Sequence, residues 1–116
     1  MSTPEDLAAE VSELISEVSR GFYIGSTQSI PRRWLGDEEM EGHCDSWVRR
    51  RAVSSMHELE MVVLTVRKGA AGGATEEYLL DHYHGWKHPR CWNVSKKAIG
   101  TCKHKDVWNF TYLVRW

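Results

Sequence analysis

The stretch Tyr23–Trp34, which reads YIGSTQSIPRRW, is the most informative part of this chain. Its first residues favour a short strand ending in Gly25, and a hydroxyl-rich turn leads into a helix that opens with Pro31 and carries two arginines. Such a unit places the Tyr23 phenol and a guanidinium on one side of a strand–helix junction. A guanidinium grips phosphate oxygens with a bidentate fork, and a phenol can orient or deprotonate a nucleophilic water. The stretch therefore suits a phosphodiester.

The residues before this stretch, 1–21, predict an amphipathic helix. Thr3 is a good N-cap, and Pro4 fits the first helical position. Apolar side chains then recur at helical spacing, and Gly21 favours the end of the helix. The apolar side chains in this pattern are Leu7, Val11, Leu14, Ile15 and Val18.

The patterns after Tyr23–Trp34 predict an α+β fold, a small antiparallel or mixed sheet with helices packed on it. Helical spacing, strand-like alternation and turn residues give the order α-β-α-α-β-α-β. The predicted elements after the first helix are a strand at 22–25, a helix from 29 or 30 to 36, a helix at 47–56, a strand at 57–68, a Gly/Ala loop at 69–74, a helix capped by Thr75, an extended segment at 91–94 and a half-buried strand at 108–116.

The length and composition predict one globular domain, 1–116. Hydrophobic residues make up 41% and charged residues 27% of the 116 residues, which excludes wholesale disorder. The net charge of −1 gives no global attraction to nucleic acid, so such binding requires a local basic patch. Six tryptophans favour a core filled with bulky rings, with stacking on exposed bases or sugars as the alternative.

The cysteine count and the N-terminal residues predict an intracellular protein of the cytoplasm or nucleus. Three cysteines are an odd number, and the N-terminal residues are acidic and polar, unlike a signal peptide. No apolar run approaches the length of a membrane span, so we expect no membrane contact. The cysteines are then free or bound to a metal.

The block Tyr23–Arg33 resembles the second half of the signature of the GIY-YIG nucleases, and later features follow in the order of that family. The sequence EEYLL from Glu76 to Leu80 matches its helix with a metal-binding glutamate, with Glu76 preferred to Glu77 because the two point about 100° apart on a helix. Asn93 after Trp92 matches its asparagine after an aromatic residue. The resemblance covers 22–97 and implies a GIY-YIG-like fold.

The resemblance implies roles for individual residues around a scissile phosphate. Glu76 would hold one Mg²⁺ or Mn²⁺, Arg33 would bind the phosphate, and Tyr23 would orient or deprotonate the attacking water. His43 would share in proton transfer, with an ordinary surface loop histidine as the alternative. The substrate contacts implied are Gly25, where the backbone could approach closely, Arg32, Asn93, Lys96 and Lys97.

The chain departs from the family at its front. The family's first strand, which bears Gly-Ile-Tyr, normally precedes the second motif by roughly ten residues, where this chain has the helix within 1–21. The C-terminal segment 107–116 contains Phe110–Val114, which looks like a degenerate version of that strand. We therefore predict a circularly permuted domain in which Tyr112 supplies the missing phenol. The alternative is an ordinary edge strand.

Histidines and cysteines cluster between positions 82 and 104. Thiolate and imidazole are the usual ligands of zinc, but the spacings match no standard zinc finger. The alternative is a basic loop whose lysines contact phosphate. The candidate zinc ligands are His88, Cys91, Cys102 and His104.

Taken together, these patterns predict a metal-dependent endonuclease of the GIY-YIG type that hydrolyses DNA. The alternatives are a catalytically inactive module that binds nucleic acid or protein, stabilised in one version by zinc, and an unrelated α+β interaction domain. The expected partner is DNA; the sequence leaves RNA and a homodimer open. An active nuclease should gather Tyr23, Arg33 and Glu76 at one cleft, whereas an inactive module should lack a second phenol near Tyr23.

Overall fold

A three-stranded antiparallel sheet organises the computed structural model of the chain, which has the predicted α+β architecture. The structure describes residues 3–16, 20–36, 42, 44–83, 90–93 and 105–116. Its strands are β1 (Phe22–Thr27), β2 (Glu60–Lys68) and β3 (Trp108–Arg115). The helices are α1 (Pro4–Ser16), α2 (Ile30–Trp34), a π-helix over Cys44–Arg49, α3 (Arg50–Ala52), a 3-10 turn over Met56–Glu58 and α4 (Ala70–Tyr83).

The C-terminal strand β3 lies in the centre of the sheet, so its interpretation as an ordinary edge strand is wrong. It pairs antiparallel with β1 on one side and with β2 on the other. Residues 111–114 are all buried, because layers of helices and side chains cover both faces of this strand. The run Tyr112-Leu113-Val114 is apolar on both faces, and a strand buried on both faces has such a continuous run.

Helix α1 confirms the prediction for the N-terminal residues, although its described part ends at Ser16. The Thr3 hydroxyl accepts a hydrogen bond from the Asp6 backbone N–H at 3.1 Å, and the Asp6 carboxylate accepts one from the Thr3 N–H at the same distance. The two bonds satisfy N–H groups that the first turn would leave unpaired. The buried stripe of α1 packs with α4 on one sheet face; this core contains Leu7, Val11, Ile15, Phe22, Ile24, Leu79, Leu80 and Leu113.

The opposite sheet face carries the elements between β1 and β2. Tyr112 and Val114 form a buried cluster there with Cys44 and Val48 of the π-helix, and α2 packs against this helix. The predicted helix at 47–56 is shifted, since helical structure begins at Cys44 and ends at Ala52. A capping box between Ser55 and Glu58 then forms the 3-10 turn, and the strand predicted from 57 starts at residue 60.

Helix α4 begins at Ala70, so the predicted Gly/Ala loop and the Thr75 cap are wrong. Gly69 turns the chain with φ 60°, and its N–H donates to the Val107 carbonyl at 2.9 Å. Its own carbonyl accepts a hydrogen bond from the buried Asn109 amide at 3.0 Å. Each glycine inside the helix costs about 1 kcal/mol relative to alanine, which the packing of the apolar face of α4 offsets. Thr75 lies within the helix, where its hydroxyl donates to the Ala71 carbonyl.

The segment 90–93 runs parallel to β1 along its outer edge, as an extended chain. The Phe22 N–H donates to the Arg90 carbonyl at 3.0 Å, and the Trp92 N–H donates to the Phe22 carbonyl at 2.9 Å. The Asn93 amide continues the ladder with two hydrogen bonds to the Ile24 backbone. Within the described residues, no helix is long and apolar enough to cross a membrane.

Candidate active site

Two buried phenols, Tyr23 and Tyr112, lie on the same face of neighbouring strands. Tyr23 pairs in register with Val114, and Tyr112 pairs with Gly25, so the tyrosines are diagonal neighbours across β1 and β3. Tyr112 is 0% exposed, and Tyr23 is half-buried against the same cluster. The two phenols are close enough for the charge of ionised Tyr23 to raise the pKa of Tyr112. The C-terminal strand thus brings a second phenol to Tyr23, where the permutation hypothesis requires one.

Gly25 is required because the Tyr112 ring occupies the space beside it. A Cβ at position 25 would overlap the hydroxyl oxygen and the ring carbon that bears it. Any side chain larger than hydrogen would therefore displace the phenol or part the two strands. The space beside Gly25, where the sequence predicted a close approach of substrate, holds the Tyr112 ring. A contact between Gly25 and a substrate stays a prediction.

Arg33 lies on α2 at the end of β1, with its positive charge directed at the phenols. Its Nη2 group donates a hydrogen bond to the Ser26 carbonyl at 3.1 Å, which fixes the half-buried guanidinium beside the strand. The charge lowers the pKa of both Tyr23 and Tyr112, because a cation favours a phenolate nearby. A guanidinium has five N–H donors, so one bond to a carbonyl leaves donors for a phosphate.

Glu76 on α4 is the carboxylate whose charge acts on both phenols, whereas Glu77 is exposed. Glu76 is only 7% exposed, and its charge raises the pKa of Tyr23 and of Tyr112. Helix α4 places it one turn before Leu79 and Leu80, which are buried in the core. The charges of Arg33 and Glu76 thus shift the pKa of both Tyr23 and Tyr112, and we call these four side chains the phenol cluster.

Burial makes both phenols of the cluster harder to deprotonate than an ordinary tyrosine, which is itself protonated at neutral pH. Burial raises the pKa of Tyr23 to about 12. The charge of Arg33 lowers this pKa, whereas Glu76, Cys44 and Cys91 raise it by smaller amounts. Burial also raises the pKa of Tyr112 well above its ordinary value. Both hydroxyls are therefore hydrogen-bond donors, and the geometry favours Tyr23 as an orienting group over Tyr23 as a base.

Sequence reasoning missed Cys44, a thiol that is 0% exposed and lies beside Tyr112. Burial raises the pKa of Cys44 to about 11, against the opposing effects of Arg33 and of its contact with the Tyr112 hydroxyl. That contact falls short of good hydrogen-bond geometry, and within the described chain no other atom accepts or donates to this hydroxyl. The signal that could have indicated Cys44 was its place in the sequence directly after His43, the residue that the resemblance selected.

Trp47 is a second residue that sequence reasoning missed. Its ring packs against Tyr23 with centroids 5.6 Å apart, and the Arg51 guanidinium lies 5.1 Å from its centroid. The exposed Arg51 guanidinium therefore contacts the Trp47 ring, which in turn contacts Tyr23 of the phenol cluster. In the sequence Trp47 comes four residues after His43, and this spacing could have indicated it.

The remaining predicted site residues that the structure describes are Asn93, Arg32 and Cys91. The Asn93 amide oxygen accepts from the Ile24 N–H at 2.9 Å, and its nitrogen donates to the Ile24 carbonyl at 2.7 Å. This arrangement gives Asn93 a role in fixing β1, and its contact with substrate stays a prediction. Arg32 is exposed on α2, outside the buried cluster. Cys91 is half-buried, and its thiol donates a hydrogen bond to the Asn93 amide oxygen at 3.5 Å.

The other predicted site residues lie outside the described residues. In the part of the chain that the structure describes, no three side chains of His, Cys, Asp or Glu gather as they would around a zinc ion. The zinc site therefore stays a prediction. The residues concerned are His43, His88, Lys96, Lys97, Cys102 and His104.

Comparison with known proteins adds no relative to this geometry. A scan of the chain against protein-family models found no match, and searches of curated proteins and of solved structures found none either. The resemblance to the GIY-YIG nucleases therefore rests on the sequence motifs of the chain.

The contact between Gly25 and Tyr112 predicts a double-mutant cycle. Gly25→Ala should lower the free energy of unfolding by about 1–3 kcal/mol, the usual cost of forcing extra volume into a packed site. In a Tyr112→Ala background the same change should cost much less, because the ring that the methyl group meets is gone. Urea unfolding of the four proteins measures both costs. Equal costs in the two backgrounds would show that the phenol does not lie over Gly25.

The raised pKa values predict a loss of stability at alkaline pH. Cys44 and Tyr23 keep their protons in the folded protein to about pH 11 and 12, whereas in the unfolded chain they release them near 9.0 and 10.0. Their contribution is therefore complete below pH 9, and the free energy of unfolding falls as the pH rises towards 12. Urea unfolding at a series of pH values should show a shallower decline for Tyr23→Phe above pH 10. Parallel curves for this variant and the wild type would contradict the burial of Tyr23.

Proposed function

We propose that this protein is a metal-dependent endonuclease that hydrolyses phosphodiester bonds of DNA at the phenol cluster. The observation that carries the proposal is the meeting of two phenols, a guanidinium and a carboxylate from four separate elements. Tyr23, Arg33, Glu76 and Tyr112 lie on β1, α2, α4 and β3, and the charges of Arg33 and Glu76 act on both phenols. An unrelated domain would have scattered these residues.

The side chains of the cluster supply complementary functions to a phosphate. Arg33 keeps N–H donors beyond its bond to Ser26, and they bind the phosphate and the negative charge that develops in the transition state. Tyr23 stays protonated, so its hydroxyl orients a water or a phosphate oxygen by donating a hydrogen bond. Tyr112 has the same protonation state, and its hydroxyl lacks a well-aligned partner among the described residues.

A divalent cation fits the chemistry of Glu76. Mg²⁺ and Mn²⁺ prefer oxygen ligands, and Mg²⁺ is commonly held by one or two carboxylates together with substrate phosphates and water. Glu76 is the carboxylate that acts on both phenols, so it would hold the cation beside the phosphate that Arg33 binds. When bound, the cation neutralises phosphate charge and stabilises the leaving oxygen.

Exposed arginines on α2 and α3 suit the DNA backbone. Arg32 is exposed on α2, and Arg50 and Arg51 are exposed on α3. Arg51 also lies over the Trp47 ring that packs on Tyr23. A chain with a net charge of −1 needs such a local group of cations to attract phosphates.

The inactive binding module is the alternative, and the second phenol weighs against it. Loss of the family's first strand would leave Tyr23 without a neighbouring phenol. Tyr112 lies across from Gly25 instead, and the strand that carries it is the central one. The second phenol that catalysis requires therefore has a counterpart in this chain.

The nuclease proposal predicts metal-dependent nicking of a supercoiled plasmid. Wild-type protein should nick the plasmid in Mg²⁺ or Mn²⁺ and not in EDTA. Glu76→Gln and Arg33→Gln should each lower the rate by about 100-fold or more. The first removes the carboxylate that would hold the cation, and the second removes the positive charge that would bind the scissile phosphate. Single-turnover rates measured by gel electrophoresis check both effects.

Two exposed residues provide matched controls for these variants. Glu77→Gln changes the neighbouring carboxylate, and Arg20→Gln changes an exposed arginine that pairs with Glu58. Both should nick at rates close to the wild type. Absence of nicking by folded wild-type protein, or equal rates for Glu76→Gln and Glu77→Gln, would overturn the proposal.

A further inference from the structure

An open apolar surface continues the sheet face of the phenol cluster towards the start of β3. Side chains alternate along a strand, so Trp108 and Phe110 lie on the same face as Tyr112. On β2, Val63 pairs in register with Tyr112 and Val66 pairs with Phe110. We call the four side chains Val63, Val66, Trp108 and Phe110 the platform.

The platform is exposed where the rest of this face is covered. Trp108 is 51% exposed, Val63 is 43% exposed and Val66 is 39% exposed. Tyr112 and Val114 on the same face are fully buried beneath the π-helix and its neighbours. Three exposed side chains and the half-buried Phe110 therefore form one apolar surface on the sheet face beside the phenol cluster, which scattered surface residues would not do.

Cations lie at the Trp108 end of the platform. The Lys68 amine is 4.7 Å from the centroid of the Trp108 ring, and these residues pair across the strands. Lys105 is exposed three residues before Trp108, with Asp106 as the acidic residue of that turn. An exposed ring with the Lys68 amine at 4.7 Å suits a nucleobase whose phosphate needs a cation.

The size of the platform favours a nucleobase over a protein partner. Stable protein interfaces use about 20–30 residues on each side, and the platform has four. Trp108 lies four residues from Tyr112 along β3, about 13 Å at the rise of a strand. A base stacked on Trp108 would thus belong to a nucleotide near the phosphate at the phenol cluster, and a base can reach a flat ring only when it is unpaired.

We infer that the platform binds unpaired nucleobases, so that the protein acts on single-stranded or branched DNA next to the scissile phosphate. This inference rests on the proposed function, because the platform serves the site at which the phosphodiester is cleaved. It adds a substrate class that the phenol cluster alone does not specify. Base stacking on an aromatic ring tolerates any sequence, so this recognition reads structure and not sequence.

Fluorescence anisotropy with labelled oligonucleotides in EDTA tests the platform without cleavage. The probes are a blunt DNA duplex and the same duplex with a single-stranded overhang. Wild-type protein should bind the overhang probe more tightly. Trp108→Ala should weaken that binding by about 5- to 100-fold and leave blunt-duplex binding unchanged, whereas Trp108→Phe should keep most of the affinity.

Trp92→Ala is the matched control, because Trp92 is also exposed but packs on Trp116 at the opposite end of β3. Equal affinity of wild type and Trp108→Ala for the overhang probe would overturn the inference. So would an equal loss on both probes, or a Trp108-dependent dimer in sedimentation with no effect on DNA binding. Because no divalent metal is present, these outcomes can be read separately from the nicking test, which decides the proposed function.

Discussion

The pairing of β3 between β1 and β2 is the constraint on which the rest of the structure depends. The strand comes last in the chain and lies in the centre of the sheet, so both outer strands are held by hydrogen bonds to it. Its two faces complete the two cores, with Leu113 on one side and Tyr112 and Val114 on the other. Pairing between segments so far apart in sequence slows folding, because the loop-closure entropy is lost before the contacts form.

The same pairing creates the phenol cluster, and burying the charges of this cluster costs free energy of folding. Tyr112 reaches Tyr23 only because position 25 is a glycine. The cluster then buries Glu76 and partly buries Arg33 beside two hydroxyls, where charges lose contact with water. A core built for stability alone would place apolar side chains there. Perturbed titratable groups gathered in this way are typical of functional sites, and this is why the cluster supports the proposed chemistry.

Local signals predicted much of this structure. Helix α1 could be predicted from its Thr3 cap and apolar spacing, and the strand–turn–helix unit from its Gly and Pro residues. Glu76 could be preferred to Glu77 from the motif, and the structure buries it. The start of α4 could not be predicted, because Gly72 and Gly73 favour a loop and only the tertiary anchoring of Gly69 and the packing of the helix outweigh them. The central place of β3 and the role of Cys44 depend on pairing between distant segments, which single-residue patterns do not encode.

The most direct test of the central claim is a crystal structure of the protein soaked in Mn²⁺, with the metal located by anomalous scattering. The account predicts β3 between β1 and β2, the Tyr112 ring over Gly25, and a manganese peak at about 2 Å from a Glu76 carboxylate oxygen. It also predicts that the peak is absent from crystals of Glu76→Gln. A manganese ion bound elsewhere, or a Tyr112 ring remote from Tyr23 and Glu76, would contradict it.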